Sequence, residues 1–133
     1  MKAKQLMLGN YALYNGLAVR VRNIHDNVFL DGEDESVEVV YDDGVVILVD
    51  PCSLEPIPLT PEILEKNGFR KLVTYGTEKW LCDNLRLNVY SSDGTWRFCA
   101  DTNRNENSVI YIRFVHELQN AISLCGIEKE ITI

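Results

Sequence analysis

The sequence carries no P-loop, no G-x-G-x-x-G fingerprint and no G-x-S-x-G elbow. The commonest phosphate-cradling and acyl-transfer devices are therefore missing. Its four cysteines, Cys52, Cys82, Cys99 and Cys125, form no C-x-x-C pair, which removes the close ligand pairs of a structural zinc site. Buried free thiols are the expected state. No apolar run approaches the roughly 20 residues that a membrane helix needs. The opening Met1-Lys2-Ala3-Lys4-Gln5 leads into too short an apolar stretch for a signal peptide. A cytosolic location and no membrane partner are the expectation. Positive charge is also scarce: the 133 residues carry a net charge of −7, which argues against general duplex-DNA binding.

What is present is an ordinary globular composition, 46% apolar and 25% charged, of a length that suits one domain or two very small ones. The charge is unevenly spread. Residues 1–59 hold 4 Lys/Arg against 10 Asp/Glu, whereas residues 60–133 hold 9 against 10. The acidity belongs to the first half, and a local anion site in the second half stays open.

The first half reads as short strands between tight turns. Tyr11–Tyr14 and Leu17–Arg22 flank Asn15-Gly16, the strongest short hairpin signal because both residues tolerate positive φ. Leu17, Val19 and Val21 alternate with Ala18, Arg20 and Arg22, giving one buried face and one wet face. Val28–Leu30 reads as a further strand, and Val37–Tyr41 with Val45–Val49 as a second hairpin across Asp42-Asp43-Gly44. About five short strands in about fifty residues predict a small barrel, SH3-like first and OB-like as the alternative. Residues 1–57 form this expected module.

Residues 58–133 form the second. Prolines keep Leu54–Leu59 extended. A short helix follows, with Thr60 as N-cap, Pro61 in its first turn and Asn67-Gly68 as its stop. Strands are expected over Lys71–Tyr75 and Lys79–Cys82 around Gly76-Thr77-Glu78, then over Leu85–Tyr90, Thr95–Ala100 and Val109–Ile112. Val115, Leu118, Ala121, Ile122 and Cys125 have helical spacing, with His116, Glu117, Gln119, Asn120 and Ser123 opposite. Glu128–Ile133 is a candidate last strand. The expected class is α+β: a small barrel followed by an antiparallel sheet with one C-terminal helix packed on it. The two modules are expected to pack as one unit, because each alone is small.

Three segments together carry a resemblance: Leu8-Gly9-Asn10-Tyr11 with Asn15-Gly16, Ile57–Phe69 (IPLTPEILEKNGF), and Val115–Asn120 (VHELQN). The chain resembles a family of small uncharacterised proteins encoded by prophages, phages and mobile elements of gut Bacteroidales. The resemblance implies a mobile-element context and carries no activity with it.

His116-Glu117 begins like H-E-x-x-H, but Asn120 stands where the second imidazole would be, so zinc hydrolysis is not supported. His116 is read as serving the polar helix face or docking on the sheet. The acidic group Asp26, Asp31, Glu33, Asp34 and Glu35 lacks the spacing of a calcium loop. Its plain reading is a solvated loop, and Asp34 and Glu35 are candidates for contact with a basic partner. The more informative constellation is on the second sheet. If Leu85, Leu87, Val89, Trp96, Phe98, Ile110 and Ile112 face inward, then Arg86, Tyr90, Arg97, Tyr111 and Arg113 share the outer face, with Trp80 nearby. Guanidinium forks pair with phosphate or carboxylate, and aromatic planes stack on bases. The plain alternative is a wet sheet face.

No cofactor, metal or catalytic group is expected. The expected function is non-enzymatic binding: sequestration of an anionic nucleotide-like ligand or host-defence signal. The alternatives are inhibition of a host protein through the acidic half, or single-strand nucleic-acid binding. Homo-oligomerisation stays open.

Overall fold

Asn15 and Gly16 take positive φ, 50° and 79°. They close a two-residue hairpin between β1 (Tyr11–Tyr14) and β2 (Leu17–Asp26), with Tyr14 opposite Leu17. The computed structural model describes residues 1–2, 5–26, 35–83, 85–89, 94–100 and 109–133. It divides into two compact units, Met1–Ile57 and Pro58–Ile133. Each contains a five-stranded antiparallel sheet, so the class is α+β.

In the first unit, β3 (Glu35–Val40) and β4 (Val46–Val49) follow, and a 3₁₀ turn over Pro51–Ser53 leads into β5 (Leu54–Glu55). The order is β4-β3-β2-β1-β5. No ladder among the described residues joins β4 to β5, so hydrogen bonding does not close the sheet. Strand β2 skips a register between Val21 and Asn23. The extra residue, Arg22, switches the inward parity from odd to even. Val19 and Val21 are buried before the bulge, and Ile24 packs against the same core after it. Leu17, expected inward, is 60% exposed because it is the first residue past the turn, at the rim of the sheet. The expected strand at Val28–Leu30 lies outside the described residues.

The Asp42-Asp43-Gly44 turn is built as its residue types suggest. The Asp43 carboxylate accepts from the Val45 N–H at 3.0 Å, and Gly44 takes φ +87°.

In the second unit, α1 (Pro61–Lys66) is capped by Thr60, whose hydroxyl accepts from the Ile63 N–H at 3.4 Å. Leu59 and Leu64, at staple spacing, are both buried. The sheet then runs as a meander: β6 (Arg70–Thr74), β7 (Thr77–Cys82), β8 (Leu85–Val89), β9 (Trp96–Ala100) and β10 (Val109–Ile112), in the order β10-β9-β8-β7-β6. Helix α2 (Val115–Leu124) buries Val115, His116, Leu118, Ala121 and Ile122. Its first turn is held by Glu117, whose carboxylate accepts from the N–H groups of Arg113 (3.0 Å) and Phe114 (3.1 Å).

Two features differ from expectation. Glu128–Ile133 forms no strand. The Asn67 side chain serves it in place of a ladder: its amide donates to the Thr132 carbonyl at 2.7 Å, and its oxygen accepts from the Thr132 N–H at 2.8 Å. The first turn of the sheet is also tighter than its residues suggest. Thr74 pairs with Thr77, and Tyr75 and Gly76 take φ 51° and 75°, the left-handed pair of a type I′ turn.

A left-handed tyrosine costs roughly 1 kcal/mol, and Tyr75 is fully exposed, so no packing offsets the strain. Tyr75→Asn should raise the melting temperature by a few degrees in a thermal melt. An unchanged or lower value would contradict the turn geometry.

Candidate functional site

The ladder of the second sheet decides which side chains share a face. Reading across directly paired residues, Ile110, Phe98, Leu87, Trp80 and Lys71 form one row. Phe98, Leu87 and Trp80 are buried, as are Trp96, Leu85 and Ile112 on the same face. The Trp96 indole N–H donates to the Leu59 carbonyl at 3.2 Å. This is the apolar face.

The opposite face carries two rows. One is Tyr111, Arg97, Asn88, Lys79 and Leu72. The next holds Cys99, Arg86, Leu81 and Arg70. Thr77 adds to it from the start of β7. Four cationic side chains therefore share this face, and none of the described side chains in its rows is a carboxylate; Asp83, in the turn after β7, lines a cavity with Arg70 and Leu81 at its edge. Antiparallel strands lie about 4.8 Å apart, so Lys79 and Arg97, flanking Asn88, are separated by about 10 Å. The described salt bridges are Arg22–Glu38 and His25–Glu38 in the first unit and Lys71–Glu78 on the apolar face. None involves Arg70, Lys79, Arg86 or Arg97. Two polar atoms of this face, Arg86 Nε and Asn88 Oδ1, are shielded from solvent without a hydrogen-bond partner. A buried donor and acceptor left unmade in this way cost about 1–3 kcal/mol each.

Of the residues expected at the site, Arg86, Arg97 and Tyr111 share this face. Arg113 continues the parity of β10 and is fixed at the rim, its Nε donating to Thr95 Oγ1 at 3.0 Å. Trp80 does not belong. It is 2% exposed on the apolar face, its indole N–H donating to Glu78 Oε1 at 3.0 Å, because Thr77–Cys82 alternates with Trp80 inward and Lys79 outward. Tyr90 and Asp34 lie outside the described residues. Glu35 opens β3 opposite Asp26. The sequence reading missed Lys79 and Arg70; it turned Asn88 outward with Arg86 but did not count it in the site. The signal that finds Lys79 and Arg70 is Trp80 itself: once an indole is assigned inward, its neighbour and that neighbour's cross-strand partners are fixed.

The thiols depart from expectation too. All four are free, yet only Cys99 is buried, while Cys52 is exposed on the 3₁₀ turn. Among the described residues, no group of three or more His, Cys, Asp or Glu is placed to hold a metal ion. No helix there is long and apolar enough to cross a membrane.

His116 is not on the polar side of α2. It is buried, stacked on Phe114 with ring centroids 5.9 Å apart, and its Nδ1 has no hydrogen-bond partner. Burial holds its pKa below the ordinary 6.5, against the opposing pull of Glu117. The imidazole is thus neutral in the fold, and an unfolded chain binds the proton more readily. Stability conferred by this neutral state is complete above about pH 6.5 and declines as the pH falls toward the lowered folded pKa. The loss of melting temperature between about pH 7.5 and about pH 5.5 should be smaller in His116→Leu than in the wild type. Equal losses would contradict a buried neutral histidine.

No family model, no curated protein and no solved structure matches the chain.

Proposed function

We propose that the chain is a non-enzymatic binding protein of phage or mobile-element type, whose second unit holds an anionic, nucleotide-like ligand on the polar face of its sheet. The observation that carries this reading is the gathering of Arg70, Lys79, Arg86 and Arg97 on one face, without a described carboxylate in their rows, in a chain of net charge −7. On neighbouring strands these cations are diagonal rather than directly opposite, near enough to repel one another, and an external counter-charge relieves that repulsion.

The chemistry of the face suits a phosphorylated nucleoside. Lys79 and Arg97 bracket a space wide enough for adjacent phosphoryl groups, which a guanidinium meets with paired donors. Tyr111, half exposed at the end of the row, offers a flat surface for a base. Arg86 Nε and Asn88 Oδ1 are an unused donor and acceptor just beneath this surface, which a side-chain rotation brings to a ligand. Nothing in this set activates a nucleophile or moves a proton, which is why the reading is binding rather than turnover.

The first unit fits the same picture as a scaffold. Its strand order, its long bulged β2 and the 3₁₀ turn before β5 support an SH3-like barrel. The resemblance of three sequence segments to mobile-element proteins supports a mobile-element context, in which sequestration of a host-defence nucleotide is the role proposed for the site.

A melting-shift screen against nucleoside mono-, di- and triphosphates and cyclic nucleotides tests the proposal. At about 100 times its Kd a ligand adds about 2.7 kcal/mol, a shift of several degrees. Arg97→Ala should abolish the shift, and raising the salt should weaken it. No shift across the panel, or one unchanged by both Arg97→Ala and Lys79→Ala, would reject the site. Tight, steeply salt-dependent binding of an oligonucleotide alone would move the reading to single-stranded nucleic acid.

A further inference from the structure

Strand β6 stands at one end of the second sheet, paired with β7 on one side and with no described strand on the other. The Tyr75-Gly76 turn fixes which of its backbone groups are spare. In a two-residue hairpin the pair flanking the turn exchanges hydrogen bonds, and bonded pairs recur at every second residue. Thr74, Leu72 and Arg70 therefore direct their N–H and C=O groups to β7, and those of Lys71 and Val73 point away from the sheet.

This edge is guarded by charge alone. Proteins blunt an edge with proline, a bulge, a covering loop or charged side chains, and of these Arg70 and Lys71 supply the last. Arg70–Thr74 contains no proline and pairs in unbroken register. Its middle residues, Leu72 and Val73, are 48% and 61% exposed. Tyr75 follows, a fully exposed aromatic at a strained left-handed position, which folding alone does not explain. Near the start of β6 lies an open cavity of about 620 Å³, lined by Gly68, Arg70, Lys71, Leu81 and Asp83 among others.

We propose that β6 receives an extended acidic segment of a partner protein as an added strand. The free groups of Lys71 and Val73 would supply the ladder, and Leu72, Val73 and Tyr75 would supply apolar contact. Charge decides the occupant. On one face of the edge Arg70 is exposed and Lys79 stands directly behind Leu72, whereas on the other Lys71 is already paired with Glu78 at 3.6 Å, behind Val73. A second copy of β6 would bring another Arg70 and Lys71 into the same short ladder, and like charges there repel. A strand alternating acidic and apolar residues turns its acids to the Arg70 and Lys79 face and its apolar side chains to the Val73 face, where Lys71 is already paired. This inference rests on the sheet edge and is independent of the ligand proposed for the sheet face.

The test is an NMR titration of the full chain with a short synthetic peptide alternating glutamate and valine, followed by amide exchange. The amides of Lys71 and Val73 should shift and exchange more slowly. Arg70→Glu with Lys71→Glu should weaken binding about tenfold. Tyr75→Asn should also weaken it, although that variant is expected to be the more stable protein, and Arg97→Ala should leave it unchanged. Three results would overturn the proposal: equal binding of a lysine–valine peptide; shifts confined to β10 or to the first unit; or sedimentation of the wild type as a dimer that Val73→Pro dissociates, which would assign the edge to self-pairing.

Discussion

Burial of Trp80, Leu87, Phe98 and Trp96 on one side of the second sheet is the constraint on which the rest of that unit depends. Strand geometry has a period of two, so sending these four inward sends Lys79, Arg86, Asn88 and Arg97 outward. Five strands in strict antiparallel register then line the outward residues up in rows. The cationic face is thus the obligatory reverse of the hydrophobic core. A one-residue slip of β8 would turn Leu87 to water and Arg86 into the core, a penalty of several kcal/mol that pins the register.

The hairpin turns set that register, and they do so at some cost. Asn15-Gly16 is a favourable type I′ pair, whereas Tyr75-Gly76 holds a tyrosine in the left-handed region. The bulge at Arg22 performs the corresponding task in the first unit, carrying one long strand from an odd to an even inward parity without losing its core. In both units a local irregularity decides which face a side chain reaches.

Much of this was legible in the sequence. The Asn15-Gly16 hairpin, the Thr60 cap and the alternation through Leu85–Val89 and Trp96–Ala100 follow from residue type and spacing, and they place Arg86, Arg97 and Tyr111 on one face. Lys79 and Arg70 were not found, because a turn at Gly76-Thr77-Glu78 was the natural expectation. Tyrosine rarely accepts positive φ, so the true turn and the register of β7 were hidden, and with them the inward position of Trp80. The burial of His116 and the capture of the C-terminal segment by Asn67 depend on long-range contacts that no local pattern encodes. The extra residue at Arg22 is likewise visible only once β3 is laid beside β2.

The outward face is anomalous in its electrostatics: a chain with seven more negative than positive charges collects four cations on one face with no described carboxylate among them. It also leaves Arg86 Nε and Asn88 Oδ1 shielded and unpaired. A bound nucleotide answers both features: its phosphoryl oxygens supply counter-charge and accept from Arg86 Nε, and a sugar hydroxyl or base amino group donates to Asn88 Oδ1. The most direct measurement is an NMR titration with nucleoside phosphates that follows the Arg86 and Arg97 Nε–H signals and the Asn88 side-chain amide. One ligand class is expected to move all three together and to saturate. Three signals that stay fixed throughout, or that move only with nonspecific salt, would contradict nucleotide binding at this face.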